Sequence, residues 1–418
     1  MGKFVSLSML KNYSPSLVNR DDSGDAKQVV VGGVNRSRIS SQCLKRAVRE
    51  EIGNRGITTA HLEDLVEQIL IDECSAGRIS ESDIDKIGKS ICTLPMSGKP
   101  PKDTVLSCCW DKRASVISDK KESKDGEKRD GNIVNQVNML EISTVVNAAI
   151  ENRDKKQADL RKEVKKSLES VRISTDKAMF GTMATSGVIE TVDGAVQVAQ
   201  TFSIDEYIPE DDFIVAKFSA ENADDFDPFF GSYKKFESDN MRKTGSETLA
   251  SSCLHSNTML TCTSVNVTEL KRNLSSSIQH TAIDVENIDS DVAKSVCDYI
   301  ETVITVEPSA KQAAMSAHSV PAVVYIEVIE DGAVKYPQGS FEKIVRRTET
   351  ESISEAGIKR IAEFAADDTF RTGNIKKYVM LSAPYKSLEC TFTESGVTVL
   401  KNLSNLREIL TDDVLDII

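Results

Sequence analysis

Residues 18 to 52, VNRDDSGDAKQVVVGGVNRSRISSQCLKRAVREEI, pass from turn residues through a glycine pair and two arginines into one amphipathic helix. Leu44, Val48 and Ile52 recur at a spacing of four and make an apolar stripe, whereas Gln42, Lys45 and Arg49 line another face. Ser40 or Ser41 caps the helix, so its first-turn amides and its dipole favour an anion at that end. Just before it, Arg36 and Arg38 alternate with Asn35, Ser37 and Ile39, as side chains pointing one way from an extended segment do. Gly32 and Gly33 permit a tight turn or a close approach to a ligand. The stretch reads as a built anion site where a strand turns into a helix.

Charge localises that site. Residues 1 to 50 hold nine Lys and Arg against four Asp and Glu, while the whole chain carries −13. A basic patch kept inside an acidic protein marks a phosphate track rather than solubility charge. An isolated KRAVR would be an ordinary solvated helix face, and the serines, glycines and flanking arginines are what argue otherwise.

The 418 residues are enough for two or three compact units, and 39% hydrophobic with 28% charged residues is the composition of a folded soluble protein. No apolar run reaches the roughly 18 residues of a membrane span. The opening MGKFVSLSMLKNYSP has no small-residue cleavage site, so a cytoplasmic protein with no membrane partner is expected. Nine cysteines contain no C-x-x-C, and His61, His255, His280 and His318 form no H-E-x-x-H; reduced structural thiols and no metal or other cofactor follow. Cys108 and Cys109, beside the only tryptophan, Trp110, have no assigned role.

NRDD at 19 to 22, GG at 32 to 33 and RSRISSQCLKR at 36 to 46 closely resemble the backbone subunit of Cascade, the CRISPR RNA-guided surveillance complex, in the CasC family of type I-E systems. DKAMFGTMATSG at 176, VDGAVQVAQTFS at 192, VTELKRNL at 267, SAKQAAMSAH at 309 and SFEKIV at 340 carry the resemblance onward. It implies an α+β fold: an RRM-like (ferredoxin-like) palm with a helical fingers insertion and a β-hairpin thumb. On this reading residues 1–55 are the first part of the palm, 56–175 the mainly helical fingers, 176–204 palm strands, 205–248 the thumb, and 249–418 the second part of the palm with a C-terminal extension.

The residue patterns fit that division. FVSLSML at 4 to 10 alternates as a strand, with Val5, Leu7 and Met9 on one side. Helices are predicted over 41–53, 61–73, 80–91, 134–152 and 157–171, with a charged loop at 118–132. The basic run at 153–166 reads as a solvated helix with compensating acids, or as a surface for a DNA strand. Strands follow over 196–204 and 249–266, then a helix over 284–304, a strand over 320–332, a helix over 353–365 and a strand near 377–383.

The preferred functional class is a binding protein rather than an enzyme: copies polymerise along one CRISPR RNA and display it for pairing with target DNA. Candidate RNA contacts in the basic stretch are Asn19, Arg20, Lys27, Arg36, Arg38, Ser40, Gln42, Lys45, Arg46 and Arg49. The resemblance adds Met183 beneath the thumb, Phe213 and Ile214 as the wedge that unstacks bases, Met241 as its packing partner, and Lys311 with Gln312 in a lysine loop. Implied partners are the CRISPR RNA, target DNA through the guide, further copies of the chain, other Cascade subunits and a recruited helicase-nuclease. The enzyme alternative is a metal-dependent endoribonuclease using the thumb aspartates among Asp211, Asp212, Asp224, Asp225 and Asp227. A DNA-binding regulator reading 41–53 as a recognition helix lacks the preceding short helix and turn.

Overall fold

The computed structural model describes residues 2–52, 57–91, 136–137, 139–169, 173–182, 191–217, 246–276 and 288–418. The first strand, β1 (Gly2–Asn12), is buried from Val5 through Lys11, which places it mid-sheet. A hairpin of β2 (Gln28–Val31) and β3 (Val34–Ile39) leads into helix α1 (Ser41–Glu51). Next come β4 (Ile57–Thr58), α2 (Thr59–Ser75), α3 (Glu81–Ile91), β5 (Gln136–Val137), α4 (Met139–Glu151) and α5 (Gln157–Glu169). Val66, Leu70, Ile87, Val145, Leu160 and Val164 give these four helices a hydrophobic core of their own. The basic run at 153–166 is charge-compensated, with Lys155 2.8 Å from Glu163 and Lys162 3.9 Å from Asp159.

After α6 (Thr175–Phe180) the chain returns to strands: β6 (Val196–Val198), β7 (Thr201–Ser203), β8 (Glu210–Lys217), β9 (Ser246–Leu254) and β10 (Thr258–Asn266). The strands expected over 196–204 and 249–266 are each divided in two. Ala199 and Gln200 interrupt the first. At the second, residues 255–257 break the run, so that β9 pairs antiparallel with β8, Glu210 opposite Leu254, while β10 joins β1. The break is fixed by polar contacts that periodicity does not reveal: His255 exchanges backbone hydrogen bonds with Ser16, and Asn257 donates to the Asp205 carboxylate at 2.7 Å.

The remainder comprises α7 (Val267–Ser276), α8 (Ile288–Thr305), the single turn α9 (Gln312–Met315), β11 (Pro321–Gly332), α10 (Ile353–Ala366), β12 (Asn374–Leu381), α11 (Glu389–Thr393), β13 (Thr398–Val399) and α12 (Leu403–Ile417). A reciprocal capping box between Ser352 and Glu355 starts α10 where the sequence places it. The C-terminal LTDDVLDII lies in α12 up to Ile417, with Ile418 as its C-cap, and the helix packs on α8 through Leu406, Leu410 and Val414.

The described strands build one nine-stranded open sheet in the order β13-β12-β11-β1-β10-β7-β3-β2, with β6 also on β10, and one separate β8–β9 hairpin and a β4–β5 pair. Neighbours are antiparallel except β12 and β13. Val5, Leu7 and Met9 of β1 face one layer with α7, α8 and α12; Leu10 faces the other, with Phe341, Ile358 and Ile361. Helices therefore cover both faces, and the sheet is a middle layer. No helix among the described residues is long and apolar enough to cross a membrane. The six described cysteines are free thiols.

Candidate nucleic-acid interface

Val31 pairs with Val34, so Gly32 and Gly33 are the whole turn of the β2–β3 hairpin. Their φ values of 58° and 77° are the left-handed pair that a two-residue hairpin turn of this twist requires. Gly32 also packs against backbone: a Cβ there would sit 2.0 Å from the Glu342 carbonyl oxygen. The glycine pair thus makes a tight turn beneath residue 342.

Arg36 corrects the sequence reading. It is fully buried, and its guanidinium donates to the carbonyls of Ser203 (2.7 Å), Phe341 (3.3 Å) and Glu342 (3.1 Å). It fastens β3 to a segment three hundred residues away and has no surface left for RNA. Alternation placed the arginines on one face, but it could not show that residues 341–342 cover that face. Arg38, two residues on, is half-buried, and its Nε has no hydrogen-bond partner.

Ser40 is the N-cap of α1, its Oγ accepting from Cys43 N, and its own amide donates to Asn19 Oδ1 at 2.9 Å. Asn19 also accepts from Lys27 N, and Lys27 in turn accepts from Arg38 N, which lays the 19–27 turn beside β3. Within the turn, Asp21 Oδ1 accepts from Ser23 N and Asp25 N. The NRDD motif therefore divides its labour: Asn19 and Asp21 build the turn, and Arg20 and Asp22 stand exposed on it.

Along α1, Gln42 and Arg46 are exposed, and Arg46 pairs with Glu50 at 2.8 Å. Arg49 is engaged elsewhere than expected. Only 13% exposed, it grips Asp176 with Nε at 2.6 Å and Nη2 at 2.5 Å, and lies over the Phe180 ring, tying α1 to α6. Lys45 differs. It is half-buried, no carboxylate among the described residues pairs with it, and burial together with Arg49 lowers its ammonium from the ordinary lysine range. A cation in that state gains from an incoming phosphate.

Of residues 309–318, Ala310 reaches the same place. A groove of about 550 Å³ is lined by residues 18–24, Cys43 and Ala310, joining the two segments singled out in the sequence. Burial pushes the Cys43 thiol up, against the opposing pull of Arg46 and Lys27. Lys311 adjoins Ala310 and caps α9 in a left-handed conformation, φ 53°. Gln312 does not point its amide outward: Nε2 donates to Pro308 O at 3.1 Å and Oε1 accepts from Ala317 N at 2.7 Å. Arg20, Lys27, Arg38 and Lys45 are left without a paired carboxylate among the described residues; Arg20 lines the groove beside Asp21 and Asp22, and the other three stand on the turn, β3 and α1.

Met183 and Met241 lie outside the described residues, as do Asp224, Asp225, Asp227, Trp110 with its two cysteines, and the 118–132 loop. Phe213 and Ile214 lie on β8, opposite Ser251 and Ala250. No group of three or more His, Cys, Asp or Glu among the described residues is arranged to hold a metal ion. Sequence reasoning missed the buried Lys11–Glu307 pair, 2.8 Å long, although a lysine ending a buried strand was a signal that a carboxylate had to meet it. A larger groove of about 880 Å³ runs between α8, α12 and the end of α1. Glu51, Glu301, Glu408 and Asp412 line it, and its Arg407 is held by Asp298 and Glu301, so it repels a phosphate.

The molecule is thus an α+β protein whose open sheet carries a polar groove beside a strand-to-helix turn. The chain belongs to the CT1975-like protein family, whose model matches residues 5–406. Its fold is similar to that of a chain of a pre-nicking CRISPR RNA-guided surveillance complex, with a TM-score of 0.70 and 18% identity over 98% of this chain and 100% of that one. A second chain, also of a CRISPR RNA-guided surveillance complex, gives 0.63 and 17% over 98% and 99%. No sequence among the curated proteins matches it. The likeness to a Cascade subunit of the CasC type, read from the motifs, agrees with the family and with both structures.

Proposed function

We propose that this protein is the CRISPR RNA-binding backbone subunit of a Cascade-type complex in antiviral defence, polymerising along the guide and presenting it for pairing with target DNA. The observation that carries the reading is the groove lined by residues 18–24, Cys43 of α1 and Ala310, with Arg20 on its wall beside Asp21 and Asp22, and with Lys27, Arg38 and Lys45 carried on the adjoining turn, β3 and α1, none of these cations ion-paired among the described residues. Phosphate contacts of this kind hold a strand without reading its bases, which leaves sequence recognition to base pairing. In this reading β1, β10, β11 and their neighbours are the RRM-like palm, α2 to α5 the fingers, and the β8–β9 hairpin the thumb, whose Phe213 and Ile214 displace a base. Met183, as a guide-RNA contact beneath the thumb, and Met241, as the wedge's packing partner, are carried from the motif resemblance alone and lie outside the described residues.

The role is binding, not catalysis, and the protein works in the cytoplasm with further copies of itself, other Cascade subunits and a recruited helicase-nuclease. Co-expression with a CRISPR array and its processing enzyme tests this. The expected product is a large species that releases repeat-derived RNA of uniform length. A monomer free of nucleic acid, even with the other Cascade subunits present, overturns the proposal.

A further inference from the structure

The loop between α8 and β11 is held in a shape that its residues do not favour. Lys311 and Ser316 both have left-handed backbones, at φ 53° and 47°, although neither is glycine. Such conformations persist only where surrounding contacts over-determine them, and they cluster where a side chain must be aimed. Two residues supply those contacts. Gln312 spans the loop from the Pro308 carbonyl to the Ala317 amide with the two ends of its side chain. Glu307 lies beneath, 6% exposed, and its Oε1 accepts from Ser319 N and from Lys11 Nζ, at 2.7 and 2.8 Å. His318 Nδ1 lies 3.2 Å from Oε2. Lys11, 1% exposed, belongs to β1, so the loop is anchored to the central strand of the sheet.

A buried ion pair adds little net stability compared with apolar side chains of the same size, but it fixes geometry. Here the fixed geometry ends at Lys311, next to Ala310 on the groove wall. We infer that Glu307 and Gln312 are positioning residues that hold the 309–318 loop in the one form that brings Lys311 to a phosphate of the bound RNA. The inference rests on the RNA-binding reading above, and it makes Gln312 an internal brace instead of a contact.

The test is a double-mutant cycle on the full-length protein, read as binding of a fluorescein-labelled single-stranded RNA across a salt series. Lys311→Ala and Gln312→Leu are each expected to weaken binding about fivefold, within the range of coupled neighbours, and the double variant no further. Both singles should also lower the salt slope by about 0.7, the loss of one phosphate contact to a single strand. Glu307→Gln should behave like Gln312→Leu; if it fails to fold, Gln312→Leu carries the test, because Gln312 is part of no buried ion pair. Additive effects, or a Gln312→Leu slope equal to wild type, would mean that the brace is merely structural and would overturn the inference. Wild-type protein that binds no RNA would refute the parent reading, whereas binding that Lys311→Ala leaves untouched would refute this inference alone.

Discussion

Replacing Arg36 by Met tests whether this arginine belongs to the core or to the RNA surface. Its guanidinium donates to three carbonyls, those of Ser203, Phe341 and Glu342, inside a fully buried site. Hydrogen bonds from a charged donor contribute roughly 1.5 to 3 kcal/mol each, so three gain roughly 4 to 9 kcal/mol gross. Taking the cation out of water offsets several kcal/mol of that, and burial accordingly lowers its pKa from the ordinary arginine value. Met fills similar space but leaves the carbonyls unmet. The net loss should be about 3 kcal/mol, seen as a melting temperature lower by roughly 3 to 5 °C in RNA-free scanning calorimetry. Arg36→Lys, with one compact donor instead of a fork, should fall between the two. At a temperature where the variant is folded, RNA affinity should equal wild type. A variant that melts like wild type but binds RNA more weakly would refute this account and return Arg36 to the surface.

Gly32→Ala should destabilise by more than about 2 kcal/mol and Gly33→Ala by only about 1 kcal/mol, because both have positive φ but only Gly32 meets a carbonyl; equal urea midpoints would contradict the close approach. Burial lowers the His255 pKa to about 4, so the unfolded chain takes up a proton that the folded one refuses. Stability is therefore whole above pH 6.5 and lost as pH falls towards 4, by roughly 2 to 3 kcal/mol at pH 4.5, and His255→Gln should flatten that loss in urea titrations. Burial lowers the Lys45 ammonium too, so its grip on a phosphate should weaken as pH rises, starting below the ordinary lysine range near pH 10. A hydrolysis-resistant 2′-O-methyl RNA titrated at constant salt should show that decline, and Lys45→Arg should remove it. By linkage, stability in the same window rises with pH, because the unfolded state holds the Lys45 proton more tightly.

What the sequence made legible was local. The helix from Ser41, the helix over 353–365, the tight glycine turn and the buried alternation of Val5, Leu7 and Met9 each follow from spacings within a few residues. Of the segments singled out by motif, residues 18–24, Cys43 of α1 and Ala310 line one groove. What could not be read was the far partner of each charge. Arg36 is covered by residue 342, Arg49 is taken by Asp176, and Glu307 reaches back to Lys11. Those pairings are set by tertiary packing across hundreds of residues, so the nine N-terminal cations overstated the charge available to a ligand. The split of 249–266 into two strands was hidden for a related reason: its alternation continues through residues 255–257, and only contacts with Ser16 and Asp205 turn the chain there.

The central claim is that RNA lies in the groove between the 19–27 turn, α1 and the 309–318 loop. Ultraviolet cross-linking of the co-expressed ribonucleoprotein, with the joined peptides mapped by mass spectrometry, tests it most directly. Cross-links concentrated in residues 18–46 and 309–318 are the predicted result; cross-links that avoid both segments and fall on the acidic α8–α12 face would contradict it.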